Sequence, residues 1–198
     1  MSEIRISDKI TYIECSEDPL SADIGIIRDG DVTWLYDVGN NPGAIRNLTG
    51  EYNVVLSHFH KDHTGNLEKL RIKELYVSKE TLRHVSFGSI VQGDINVGNV
   101  HIFTIPSSHA KGCLGLETDG YAFVGDALYS KVSDKGYLYN PQLLKEEIAV
   151  LEKLSAPRLL VSHFSGLIRD KAEAISELKE IYALWDRKTP EILVPFET

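Results

Sequence analysis

The chain has 198 residues, 42% hydrophobic and 25% charged, with a formal net charge of −8. That composition suits one globular domain spanning residues 1–198 and argues against disorder. The acidic balance, with no basic block, excludes a general nucleic-acid surface, and no stretch approaches the roughly 20 apolar residues of a membrane span. Met1–Lys9 lacks the apolar core of a signal peptide. The only cysteines, Cys15 and Cys113, lie far apart, which excludes a disulfide framework and suggests a reducing compartment. A cytoplasmic protein with a small-molecule substrate and no nucleic-acid or membrane partner is expected; the oligomeric state is left open.

In chain order, Ile10–Cys15 reads as a first strand and Glu17–Ser21 as a loop. Ile24–Arg28 and Val32–Tyr36 flank Asp29-Gly30, a hairpin signal because glycine supplies positive φ. Asp37-Val-Gly39 ends the second of these strands. Asn40–Thr49 reads as a short helix entered through Asn41-Pro42. Val54–Leu56 is a short buried strand, and it runs into His58-x-His60, whose side chains share one side of an extended segment. Asp62 and His63 follow at a turn, with Gly65 after them, so four potential metal ligands leave one strand end within six residues. The alternative for Asp62 is the cap of a helix running to about Leu70.

Two imidazoles do not complete a metal site, and further candidates stand at later strand ends. His109 follows the apolar run His101–Ile105, Asp126 follows Tyr121–Val124, and His163 follows Leu159–Val161. His84 and His101 fit no such place and read as ordinary polar residues. Between these points, Leu75–Val77 reads as a strand, Lys79–His84 as a short helix, and Ser86–Asn99 as loops and short strands. Leu114–Thr118 and Tyr121–Val124 flank a second hairpin turn, Asp119-Gly120. Cys113 reads as a small buried residue at a strand start. Tyr129–Pro141 reads as irregular. Leu144, Ile148 and Leu151, then Ile175, Leu178, Tyr182 and Trp185, recur at helical spacing as core-facing stripes, and Pro190–Thr198 reads as an edge strand.

The ordered set His58-x-His60-x-Asp62-His63, His109, Asp126 and His163 resembles the metallo-β-lactamase superfamily of hydrolases. The resemblance extends from Asp37-x-Gly39 to His163. It implies an α/β, four-layer αββα sandwich with the site along one edge. It also implies a dinuclear centre: His58, His60 and His109 on one metal, Asp62, His63 and His163 on the other, and Asp126 bridging. Zinc is the first expectation, with Fe or Mn equally suited to His and Asp ligands. An Asp-x-Gly like Asp37-Val-Gly39 supports the centre from behind in relatives.

The implied chemistry is hydrolysis, with hydroxide generated at the metals as nucleophile and Asp62 orienting it or taking its proton. Aspartate at 126 is similar to the thioesterase, lactonase and phosphodiesterase branches, and a thioester or ester of a small anionic acyl compound is the first expectation. An iron-dependent sulfur dioxygenase is a further alternative. Lys135 and Tyr137, nine and eleven residues after Asp126, resemble the lysine and tyrosine that contact glutathione in hydroxyacylglutathione hydrolases; a solvated loop, where Lys and Tyr are common, is the alternative. Two departures count against glutathione itself. Those enzymes carry a C-terminal helical domain that this sequence, ending soon after the stripe that includes Trp185, is expected to lack, and Ser162 stands where they usually carry glycine.

Overall fold

The computed structural model describes residues 2–196. Two mixed sheets stack face to face. The first has seven strands, ordered from Ile4–Arg5 through Ile10–Ile13, Ile24–Asp29, Val32–Tyr36, Glu51–Val55 and Arg71–Val77 to Ser89–Ile90. The second has six, from Ile95–Val97 through Val100–Ile105, Cys113–Thr118, Tyr121–Gly125 and Arg158–Val161 to Ile168–Asp170.

Alternation along the strands builds three apolar layers. Trp34, Tyr36 and Val55 meet Ile102, Leu116 and Phe123 between the sheets. The intervening Leu35, Val54 and Leu56 face outward onto Ala44, Ile45 and Leu67. On the far side, Phe103, Val124 and Leu159 pack against Leu144, Ile148 and Leu151 of the helix Pro141–Lys153, and against Ile175 and Leu178 of Lys171–Ala183. These are the expected helical stripes. Asn140 and Asp170 cap the two helices through their side chains, which satisfies backbone donors that the first turn leaves free.

The sheets approach closely at Gly25. A Cβ placed there would fall 2.9 Å from Phe123 Cδ1 and Cζ, and closer still to Cε1. Gly25→Ala should therefore destabilise the fold by about 1–3 kcal/mol through overpacking, read as a lower urea midpoint at unchanged slope. An unchanged midpoint would contradict this stacking of the sheets.

Several elements differ from the sequence reading. Asn40–Thr49 forms turns rather than a helix: Ala44 N–H donates to Asn41 O at 3.0 Å and Leu48 N–H to Ile45 O at 2.9 Å. The Asn41 side chain accepts from Gly43 N–H, a local bond that competes with helical pairing. Lys79–His84 contains one 3-10 turn, Thr81–Arg83. Glu17–Ser21 falls within a miniature hairpin of Ser16–Glu17 and Leu20–Ser21. The expected irregular stretch Tyr129–Pro141 holds a hairpin, Lys131–Ser133 with Gly136–Tyr139, and Ile192–Pro195 adds a third strand to it. That strand lies within the expected Pro190–Thr198; Glu197 and Thr198 lie outside the described residues. Among the described residues no helix is long and apolar enough to cross a membrane.

Candidate metal centre

The strands Val32–Tyr36 and Glu51–Val55 run parallel, as do Tyr121–Gly125 and Arg158–Val161. Val100–Ile105 runs the same way as the latter pair, two antiparallel steps from Tyr121–Gly125. Their carboxyl ends meet at one edge of the sandwich, where candidate ligands from both sheets converge. Asp37, His58–His63, His109, Asp126 and His163 all leave from those ends.

The seven expected ligands form two groups, His58, His60 and His109, and Asp62, His63, Asp126 and His163, with candidate ligand atoms in each within 4.8 Å of one another. His60 Nδ1 lies 2.8 Å from His58 Nε2 and 3.2 Å from His109 Nε2. In the second group His63 Nε2 is 3.4 Å from Asp62 Oδ2 and 3.3 Å from Asp126 Oδ2. His163 Nε2 is 3.1 Å from Asp62 Oδ2 and 3.9 Å from Asp126 Oδ2. Four ligands about 2.1 Å from a tetrahedral ion stand roughly 3.4 Å apart, and most of these separations lie near that edge. Asp126 Oδ2 also lies 3.4 Å from His109 Nε2, so one carboxylate faces both groups.

Unused bonding capacity points the same way. His63 Nε2 and Asp126 Oδ1 are buried without a hydrogen-bond partner, an arrangement that native structures rarely leave unanswered. Divalent metal fits this donor set. His58 is held far below its ordinary pKa by burial and by the neighbouring imidazoles, so it offers a lone pair. Burial lowers the pKa of His63, but Asp37 and Asp126 outweigh it and raise it well above the ordinary value. Burial likewise pushes Asp62 up, and the His163 hydrogen bond and His63 charge override it, to about 2.

The supporting residues explain the precision. Asp37 is fully buried and accepts from Ser57 N–H, Ser57 O–H and His63 Nδ1–H, each at 2.7 Å. That bond leaves His63 Nε2 facing its group. Asp37 adopts φ +59 and His163 φ +60, left-handed conformations that cost non-glycine residues about 1–3 kcal/mol and cluster at functional sites. Gly65 has ordinary helical φ; its missing Cβ makes room for Asn40 and Lys61 O. Asp62 is not a helix cap, since the one-turn helix Lys61–Thr64 begins after His60.

Asp23 was not anticipated from sequence. It is 5% exposed and accepts from His163 N–H at 2.9 Å and Cys15 N–H at 3.0 Å. Ser162, in place of the expected glycine, contacts Asp23 through its hydroxyl. Ser107 accepts from His109 N–H and donates to Ala127 O, tying that loop to the segment after Asp126. No local pattern marks either residue.

His84 and His101 are engaged elsewhere. His84 stacks on Phe59 with ring centroids 4.3 Å apart, and His101 bonds Glu117 at 3.2 Å. His163→Ala should lower bound metal by ten-fold or more, roughly the cost of disturbing such a centre, while His101→Ala retains it; metal loss in both by elemental analysis would undo this assignment. Cys113 is buried at the start of its strand, and burial pushes its thiol up to about 12.

A cavity of about 480 Å³ opens on the centre, lined by His109, Asp126 and His163 with Tyr129, Tyr137 and Tyr139 among its walls. Tyr137 thus lines the same cavity as three of the candidate ligands. Lys135 stands exposed on the hairpin turn and is not among the lining residues.

No family model matches the sequence. Solved structures do match the fold. The DIM-1 metallo-β-lactamase aligns with TM-score 0.73 at 13% identity, over 92% of this chain and 96% of that one. An archaeal metallo-β-lactamase superfamily protein from Sulfolobus tokodaii aligns with TM-score 0.59 at 16% identity, over 89% and 87%. A chemotaxis sensor, ODP, solved as a peroxy diiron species, aligns with TM-score 0.67 at 14% identity, over 90% and 94%. The chain has the metallo-β-lactamase fold, an αββα sandwich. Its edge carries two groups of histidine and aspartate suited to divalent metal.

Proposed function

We propose that this chain is a dinuclear metal-dependent hydrolase acting on a small acyl compound, a thioester or ester. The observation that carries the reading is the shared Asp126 carboxylate between two convergent ligand groups. His58, His60 and His109 would hold one ion, Asp62, His63 and His163 the other, with Asp126 bridging; zinc is the first choice. Bound there, two divalent ions lower the pKa of water toward neutrality and polarise the bond under attack.

The chain's own groups supply the rest. Asp37 fixes the His63 ring and Asp23 fixes the His163 backbone. Asp62, 16% exposed at its side chain, orients the attacking water and takes its proton. Water adds to the acyl carbon, the thiolate or alkoxide departs, and a carboxylic acid remains. No side-chain nucleophile is needed, and the buried Cys113 thiol stays out of the reaction. Of the two substrate contacts expected from sequence, Tyr137 is carried forward because it lines the cavity.

The test is a hydrolysis screen of thioesters, esters, lactones, β-lactams and bis(4-nitrophenyl) phosphate, with elemental analysis of the same preparation. Thioester or ester cleavage with about two metal equivalents per chain is expected for a two-metal site. No cleavage by Zn-, Mn- or Fe-loaded protein would refute the proposal, and preference for the phosphodiester or a lactone would move it within the fold. Oxygen chemistry at iron is a second reading, supported by the fold shared with a diiron sensor; oxygen uptake with bound iron would favour it.

A further inference from the structure

A second cavity, of about 410 Å³, lies beside the tyrosine-walled one, and His109 is the one residue common to both linings. The hairpin Lys131–Tyr139 stands between them. Directly paired residues in an antiparallel sheet share a face, so Val132 and Tyr137 look one way while Lys131 and Leu138 look the other. The linings follow this alternation: Val132, Tyr137 and Tyr139 border the first cavity, Lys131 and Leu138 the second.

The second cavity carries Lys111 and Lys131, and neither has an ion-pair partner among the described residues. Glu191 is its single carboxylate, leaving the lining net positive in a chain of charge −8. Ser108, 4% exposed, also lines it. Its oxygen accepts from Asn140 N–H at 2.9 Å, and its hydroxyl hydrogen has no acceptor among the described residues. The helix start at Asn140 adds no free donor, because Asn140 Oδ1 already takes Gln142 and Leu143 N–H. Across the centre, His163 borders a cavity lined by Glu14 and Glu17, which repels an anion from that side.

We propose that Lys111, Lys131 and Ser108 form an anion subsite on the His109 side, which binds a carboxylate or phosphate carried by one arm of the substrate while the other arm lies among the tyrosines. The subsite rests on the hydrolase reading for its role but is measurable without it. Metal-loaded protein is titrated calorimetrically with succinate and, separately, inorganic phosphate, in the parent, in K111Q/K131Q and in K111R/K131R. Glutamine should weaken binding about ten-fold, a modest sum for two exposed charges, and arginine should restore it. E191Q should tighten it. Whichever anion shows this lysine dependence identifies the recognised group.

Succinyl and acetyl thioesters of N-acetylcysteamine supply the second readout: the ratio of their kcat/KM values should fall in K111Q/K131Q. Anion binding equal in parent and glutamine variant overturns the subsite, even if the thioesters are cleaved. Lysine-dependent binding without any cleavage supports the subsite and instead overturns the hydrolase reading.

Discussion

Asp126→Ala protein should hold about one metal equivalent or fewer where the parent holds about two, and its kcat should fall by more than the roughly 100-fold typical of losing an outer partner. Asp126 Oδ2 faces His63, His109 and His163, so no other side chain replaces it. Removing it leaves the two imidazole groups with nothing between them. Elemental analysis and single-turnover kinetics on one preparation check both halves of the expectation. Two retained equivalents with full activity would contradict the bridging role.

Asp37→Ala should have the next largest effect, and through stability as well as activity. The substitution strands three buried donors, Ser57 N–H, Ser57 O–H and His63 Nδ1–H. An unsatisfied buried group costs about 1–3 kcal/mol, and a supporting partner of a ligand is worth about 10–100-fold in metal affinity. Urea unfolding of chelated and metal-loaded protein separates the two. The chelated variant should be less stable than chelated parent, and the gap should widen with metal. Equal gaps would mean that Asp37 supports the fold but not the ligand.

The convergence of the seven candidate ligands was legible in sequence because four of them lie within six residues and the other three follow apolar runs. A strand end followed by histidine or aspartate is a local pattern, and the parallel strands then bring those ends together. Asp23 has no such pattern: its partner His163 lies 140 residues away. Lys111 and Lys131 were equally illegible as a pair, because one follows Val100–Ile105 of the second sheet and the other stands on the separate hairpin sheet, and only the tertiary fold brings them to one cavity. Asn41-Pro42 marks a helix entry and a turn alike, and in Asn40–Thr49 the bond from Gly43 N–H to the Asn41 side chain favours turns. The hairpin in Tyr129–Pro141 is hard to read because its strands are only three and four residues long, and its pairing with Ile192–Pro195 comes from the far end of the chain.

That hairpin stands between two cavities and, if the chain is the hydrolase proposed above, would set selectivity apart from chemistry. Its side chains wall both cavities, yet it supplies no metal ligand. Because strand side chains alternate with a period of two, one residue inserted in the Ser133–Gly136 turn would, if pairing slipped with it, turn Tyr137 toward the lysines and Leu138 toward the tyrosines. A single insertion or deletion there would therefore exchange the side chains that line the two cavities. Change in selectivity among proteins built this way should be sought in loop length first, with the metal ligands left untouched.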